Sequence, residues 1–288
     1  VDTIIGLGNA GCAIADKFAQ YSQYSVYKLD VGLKRSPTTY PMKEFKKIED
    51  YEEKCPTFSR FFKGIEGNIL FVVAGGGKIS SASLSILEKL KHCEISVLYI
   101  KPDRTFLGKE AIALDNMAFG VFQEYARSGV FKRLFLVDNN ELENLLPEVS
   151  IKNYYDNLNE AIVSTLHMIN VFDHNKPITG TFSDLPAATR ISTIGIVNPE
   201  KNEDNMFFLL DNVSDMVYYY AYSKEKLEES SKLFSEIKNS IKEKMIEDVR
   251  VMYGVYETNY EQDYVYCVKH TSAVQQQSGG SGDLLTSP

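Results

Sequence analysis

Cysteine is scarce and scattered: the four residues Cys12, Cys55, Cys93 and Cys267 form no C-x-x-C pair. That spacing excludes a disulfide framework and a zinc site, and predicts reduced thiols. Long apolar runs are missing too, since none approaches the ~20 residues that a membrane-spanning helix needs. Val1 to Gly6 is a short strand-like run with no basic leader; because Val rather than Met opens the sequence, a short native leader is expected before it. Excess basic charge is absent, with 31 Lys and Arg against 39 Asp and Glu and a net charge of -8. Binding a nucleic-acid backbone calls for clustered cations. Here Lys46 and Lys47 stand beside Glu44, Glu49 and Asp50, a mixed solvated face, so no direct nucleic-acid contact is expected. His92, His167, His174 and His270 show no metal-ligand spacing. A soluble cytoplasmic protein is the resulting expectation.

What remains is ordinary globular material, 288 residues with 44% hydrophobic and 24% charged content, enough for one large or two medium domains. Apolar strand-like runs at Thr3–Ile5, Ser25–Leu29, Ile69–Val73, Ile95–Ile100 and Leu134–Val137 alternate with helical stretches at Gly11–Gln20, Ser81–Lys91 and Lys109–Ser128. This alternation predicts an α/β fold with a Rossmann-like parallel sheet covered on both faces. From Lys152 to Asn170 the side chains of Tyr154, Leu158, Ala161, Ile162, Thr165, Leu166 and Ile169 make one stripe at a period of about 3.6 residues, a long helix. Strands are then expected at Ile191–Val197, Met206–Leu210 and Met216–Tyr222, a helix at Lys224–Ile246 capped by Ser223, and strands at Val249–Tyr256 and Tyr264–Lys269. The chain thus divides into a nucleotide-binding domain (1–150), a central helix (151–172), a C-terminal α+β domain (173–272) and a Gln- then Gly/Ser-rich flexible tail (273–288) open to a protein partner.

Chemistry concentrates at two glycine runs. Gly6-Leu7-Gly8-Asn9-Ala10-Gly11 lies between a strand and a helix, where glycines let backbone N–H groups approach a phosphate. Taken alone the pattern equally fits the dinucleotide fingerprint of NAD or FAD oxidoreductases, with Asp30 near the distance of a ribose-binding carboxylate. The second run, Ala74-Gly75-Gly76-Gly77, follows another strand and precedes a helix starting near Ser80. An ordinary dinucleotide fold does not need it, and two such loops on neighbouring parallel strands suit a di- or triphosphate.

Lys101-Pro102 after a strand, Phe106-Leu107-Gly108-Lys109, the stretch Ala118–Leu136, the run Val137–Leu142 and the helix over Asn153–Ile169 occur in an order that resembles the tubulin/FtsZ superfamily. The likeness spans about two-thirds of the chain. It implies GTP or GDP as ligand, with Mg²⁺ as a candidate counter-ion, and head-to-tail filaments of the chain with itself or with a related filament protein. By the same resemblance Gly6, Gly8, Asn9, Ala10 and Gly11 form the first phosphate loop. Gly75, Gly76 and Gly77 open the second, with Lys78 and Ser80 beside them. Tyr155 and Asn159 hold the positions of base stacking and base reading. Asn139 is a weaker candidate for the base, because a solvated turn explains Asp138-Asn139-Asn140 equally well.

The departures from the family pattern bear on mechanism. Lys78, Ile79 and Ser81 stand where the signature has Thr, Gly and Gly, and β-branched Ile79 lacks glycine's freedom, so the phosphate nest is narrower or reshaped. In Thr179-Gly180-Thr181-Phe182-Ser183-Asp184, the stretch matching the family's catalytic NxDxxD loop, Asp184 alone survives. A threonine hydroxyl cannot act as a general base near neutral pH, so slow or absent hydrolysis is expected. The segment from Leu33 to Cys55 is also short and glycine-poor. A non-polymerising, degenerate binding module of the same fold is the alternative within the family.

Overall fold

In the computed structural model, which describes residues 1–105, 107–146, 150–260 and 262–276, the chain runs β1 (Thr3–Leu7), α1 (Gly8–Phe18), β2 (Ser25–Val31), β3 (Thr39–Met42), α2 (Glu49–Glu53) and β4 (Asn68–Ala74). A 3-10 turn, Lys78–Ala82, leads into α3 (Ser83–Glu88), β5 (Glu94–Lys101), α4 (Lys109–Arg127), β6 (Arg133–Asp138), α5 (Asn139–Leu145) and α6 (Tyr154–Asp173). Then come β7 (Thr179–Gly180), β8 (Ile191–Asn198), β9 (Glu203–Met206), β10 (Asp215–Ser223), α7 (Lys224–Glu229), α8 (Leu233–Lys244), β11 (Arg250–Thr258) and β12 (Tyr264–Thr271).

Among the described residues the strands make one 12-stranded sheet, ordered β3-β2-β1-β4-β5-β6-β8-β12-β10-β11-β7, with β9 beside β8. The first six are mutually parallel. Parallel strands are buried on both faces, which is why β1 and β4 read as unbroken apolar runs rather than alternating ones. On one face Ile14, Ala15 and Phe18 of α1 and Leu158, Ile162 and Leu166 of α6 share a core. On the other, Ala82, Ile86 and Leu87 at the start of and along α3 pack with Phe119, Phe122 and Ala126 of α4, and Ile79 is partly buried against them. The sheet crosses from β6 to β8 through two residue pairs, Leu134 with Ile191 and Phe135 with Ser192.

The polar contacts at that crossing are closely matched. Arg133 Nη1 donates to His270 Nδ1 (3.0 Å), to Ser192 Oγ (3.2 Å) and to the Thr189 carbonyl (3.2 Å). Burial, reinforced by Arg133 and Arg250 nearby, holds His270 neutral well below its usual range. His167 is equally structural, stacked on Tyr21 with ring centroids 3.6 Å apart and bonded to Tyr24 Oη at 3.1 Å. The four cysteines are unpaired; burial pushes the Cys12 thiol up to about 12 and the Cys55 thiol up to about 11.

Several elements depart from the sequence reading. The polar stretch after β2 contains β3 and α2. Asp138-Asn139-Asn140 opens a helix, α5, with Asp138 Oδ1 accepting from the Asn140 amide at 2.9 Å. An Asx turn and an N-cap use the same bond, so local sequence could not separate them. The strand expected at Met206–Leu210 lies three to four residues earlier, at Glu203–Met206. The helix expected at Lys224–Ile246 is two helices, broken after α7 where Ser230 leaves helical geometry with ψ 98°; Ser223 does cap α7, its hydroxyl accepting from Lys226 N. The tail does not depart at 273 either. Gln275 is buried between Gln123 of α4 and Asp211, with its own N–H donating to Gln123 Oε1 at 2.6 Å and its Oε1 accepting from Asp211 N at 2.7 Å. Residues 277–288 and Phe106 lie outside the described residues.

Candidate functional site

The first glycine run is the junction of β1 and α1. Gly8 takes φ +73°, and Leu7 before it gives no side-chain cap. No acidic residue occupies the first turn of α1. The first amides of a helix have no intrahelical partner, and the macrodipole adds positive potential there. With Asn9 exposed and Ala10 half-buried, this end is open to an anion. Gly6 and Gly11 do something different. A side chain on Gly6 would collide with the Gly11 carbonyl, and one on Gly11 with the Val72 carbonyl, so both exist to press α1 onto β1 and β4.

Register sets the second run beside the first, because Leu7 pairs with Val73 and Gly6 with Val72. Gly75 donates its N–H to the Ile100 carbonyl (3.0 Å), so that amide is spent on the sheet. A side chain there would overlap Tyr99 Oη and Asp115 Oδ1. Behind the turn, Tyr99 Oη donates to Asp115 Oδ1 at 2.5 Å, and Arg104 pairs with the other carboxylate oxygen through Nε (2.9 Å) and Nη2. Asp115 is fully buried. This network was not foreseen, although a signal existed: Asp115 lies on the apolar stripe of α4 with Phe119 and Phe122, where a lone charge asks for a partner. Gly76 adopts φ +81°. Ser80 is committed locally, donating Oγ–H to the Gly77 carbonyl at 2.6 Å. The Lys78 ammonium lies 3.3 Å from both the Lys46 carbonyl and Glu110 Oε1, in an exposed setting.

Ile79 stands between the runs. Its Cγ2 lies 2.9 Å from the place a Cβ would take on Gly8 and 4.0 Å from that on Gly77. Ile79 thus leaves no room for a side chain at Gly8.

At the same end of the sheet, Lys101 and Asp138 close β5 and β6 with a buried ion pair of 2.7 Å. The start of α6 is tied to α1 by Lys17, whose ammonium meets Asp156 (2.8 Å) and Glu160 (3.0 Å). Tyr155 is 69% exposed, with its ring edge-on to Tyr154 at 5.0 Å. Asn159, one turn further on the same face, is half-buried, and no hydrogen bond among the described residues engages its amide. Among the described residues both side chains are thus available to a ligand. Asn139 begins α5. Asp30 accepts from the adjacent Val31 amide at 2.8 Å, and burial raises its carboxyl above the usual range.

Asp184 is exposed in the loop after β7. That loop is held by Arg250, which donates to Ser183 Oγ (3.0 Å), the Asp184 carbonyl (3.1 Å) and the buried Asp215 carboxylate (2.6 Å). Among the described residues the Asp184 carboxylate has no hydrogen-bond or ion-pair partner, an arrangement that suits contact with another molecule. Among the described residues no group of three His, Cys, Asp or Glu could hold a metal ion, and no helix is long and apolar enough to cross a membrane.

A nucleotide's phosphates fit the uncapped start of α1, where the first helix amides stand beside exposed Asn9 while Gly8 itself is buried. They fit the second run less fully, since Gly75 and Ser80 are already bonded and Ile79 intrudes.

No known family model matches the sequence, and no curated protein matches it. The fold does have solved counterparts. An empty FtsZ dimer from M. jannaschii superposes with a TM-score of 0.68 at 10% identity, over 99% of this chain and 94% of that one. A GTPγS-form TubZ protofilament from Bacillus thuringiensis serovar israelensis gives 0.69 at 16% identity, over 93% and 84%. The GDP-bound CetZ1 monomer from Haloferax volcanii gives 0.64 at 16% identity, over 95% and 94%. Such coverage does not favour an oxidoreductase built on Gly6–Gly11 and Asp30. Strand order, central helix and near-complete superposition agree, and the chain carries the tubulin/FtsZ fold.

Proposed function

We propose that the chain binds a guanine nucleotide at the paired glycine runs and assembles head to tail into filaments, with little or no hydrolysis. The observation that carries this is the open, uncapped N-terminus of α1 set beside a second glycine run, in a fold whose solved counterparts include GTPγS- and GDP-form protofilaments of TubZ. Amides of Gly8, Asn9 and Ala10 hold phosphate oxygens, while Tyr155 offers a π-face and Asn159 a donor and acceptor to the base. Any Mg²⁺ is held chiefly by the phosphates and water, in keeping with that ion's habit.

In a filament the Asp184 loop of one subunit meets the glycine runs of the next, a heterologous contact that repeats without closing. One carboxylate then stands near the terminal phosphate. A single carboxylate flanked by Ser183 and Leu185 can orient a water only weakly, which is the reason for slow turnover. The same shortage supports a second reading, a module of this fold that caps or regulates a related filament. Negative-stain electron microscopy and sedimentation of purified protein with GTP or GDP and Mg²⁺ decide between them. Linear protofilaments are expected, and Asp184→Ala should leave them assembled. Absence of polymer at every concentration with either nucleotide would remove the filament reading.

A further inference from the structure

Resting on the nucleotide reading above, we infer that Ile79 makes this a site for nucleoside diphosphates at the expense of triphosphates. The argument is about which side of the sheet each part of the ligand reaches. The base partners Tyr155 and Asn159 belong to α6, and α6 packs with α1 on one face. Ile79 leads into α3 and packs with the α3 and α4 side chains on the opposite face. A nucleotide anchored at α6 therefore crosses the top of β1 and β4, passes the start of α1 and arrives at Ile79 with its outermost phosphate.

At that point the chain presents the hydrocarbon of Ile79. Its methyl stands 2.9 Å from the Cβ position of Gly8. The polar side chains beside it are engaged elsewhere: the Ser80 hydroxyl is bonded to Gly77 and the Lys78 ammonium lies against Glu110 and the Lys46 carbonyl. An anionic oxygen moved from water against a methyl group loses hydration and gains no hydrogen bond. The inner phosphates meet the α1 amides and carry no such cost. Discrimination thus falls on the third phosphate alone.

The test is a set of equilibrium titrations of nucleotide-free protein with GDP and with a non-hydrolysable GTP analogue, followed by calorimetry. Wild type should bind GDP at least about tenfold more tightly, a difference of about 1.4 kcal/mol. Ile79→Ala removes the Cγ2 methyl and should bring the two affinities within about threefold, what is left of a tenfold ratio once about half of that 1.4 kcal/mol is gone. Ile79→Val keeps the Cγ2 methyl that stands nearest Gly8 and should retain the wild-type preference. Circular dichroism melts of the three proteins establish that each is folded. Equal affinities in wild type, or a preference that Ile79→Ala leaves unchanged, overturn the role given to Ile79 while leaving the nucleotide reading in place. Binding of neither ligand by any of the three folded proteins overturns both.

Discussion

Asp138→Ala is expected to destabilise the protein by about 3–5 kcal/mol, the range for removing one member of a buried ion pair. Lys101 and Asp138 are both nearly buried, with side-chain exposures of 5% and 7%, and lie 2.7 Å apart. Truncation leaves the ammonium of Lys101 in the protein interior without its counter-charge. It also removes the N-cap of α5, since the other Asp138 oxygen accepts from Asn140 N, a loss of about 1 kcal/mol. Two further variants separate these parts. Asp138→Asn keeps a capping acceptor and loses the charge, so it should recover only the smaller share. The double variant Lys101→Met, Asp138→Leu removes the unpaired charge altogether and should be more stable than Asp138→Ala by at least about 2 kcal/mol, because apolar replacement of a buried pair is often neutral or better. Urea denaturation gives all three values. A cost below about 1 kcal/mol for Asp138→Ala would contradict the assignment of a buried, mutually dependent pair, because surface pairs fall in that range.

The second large effect links fold and site. Gly11→Ala should cost about 3 kcal/mol, at the upper end of overpacking, because the added methyl meets a backbone carbonyl, Val72, rather than a side chain that can rotate away. Relief requires α1 to lift from β1 and β4. Such movement displaces Gly8 and its neighbouring amides, so guanine-nucleotide affinity should fall at least about tenfold even in the folded fraction, a change of about 1.4 kcal/mol. Ala13→Gly provides the comparison at a half-buried position of the same helix, where the expected loss is only the helix propensity difference of about 1 kcal/mol. Denaturant midpoints and a fluorescence titration with a labelled nucleotide measure both. Unaltered stability in Gly11→Ala would mean that α1 is not held against the sheet as described.

The parts of this fold legible in the sequence are those whose signal is local and strong. β1 and β4 are short apolar runs ended by glycine, and α6 carries its stripe for five turns, so both their type and their neighbours could be inferred. α5 was hidden because its capping residues are also turn residues. The break between α7 and α8 was hidden because the surrounding Lys, Glu and Leu all favour helix, and two serines disturb a helix only weakly. At the site, the glycines could be found but not their separate duties. Gly11 and Gly75 answer to close neighbours that arrive from distant parts of the chain, the Val72 carbonyl and the Tyr99–Asp115 pair, and Gly6 to Gly11 and Ala15 of the next helix, while Gly8 combines a left-handed backbone with the uncapped start of α1. The contact of Lys78 with Glu110 depends equally on a pairing no short motif encodes, whereas that of Ser80 with Gly77 is local.

The central claim is that the uncapped start of α1 and the run beside it hold one guanine nucleotide. Calorimetric titration of nucleotide-free protein with GDP reads this most directly. Saturable binding of one GDP per chain, lost when Gly8 is replaced by valine, is the predicted result. A folded wild-type chain that takes up no GDP, or a Gly8→Val variant that binds it undiminished, would contradict the account.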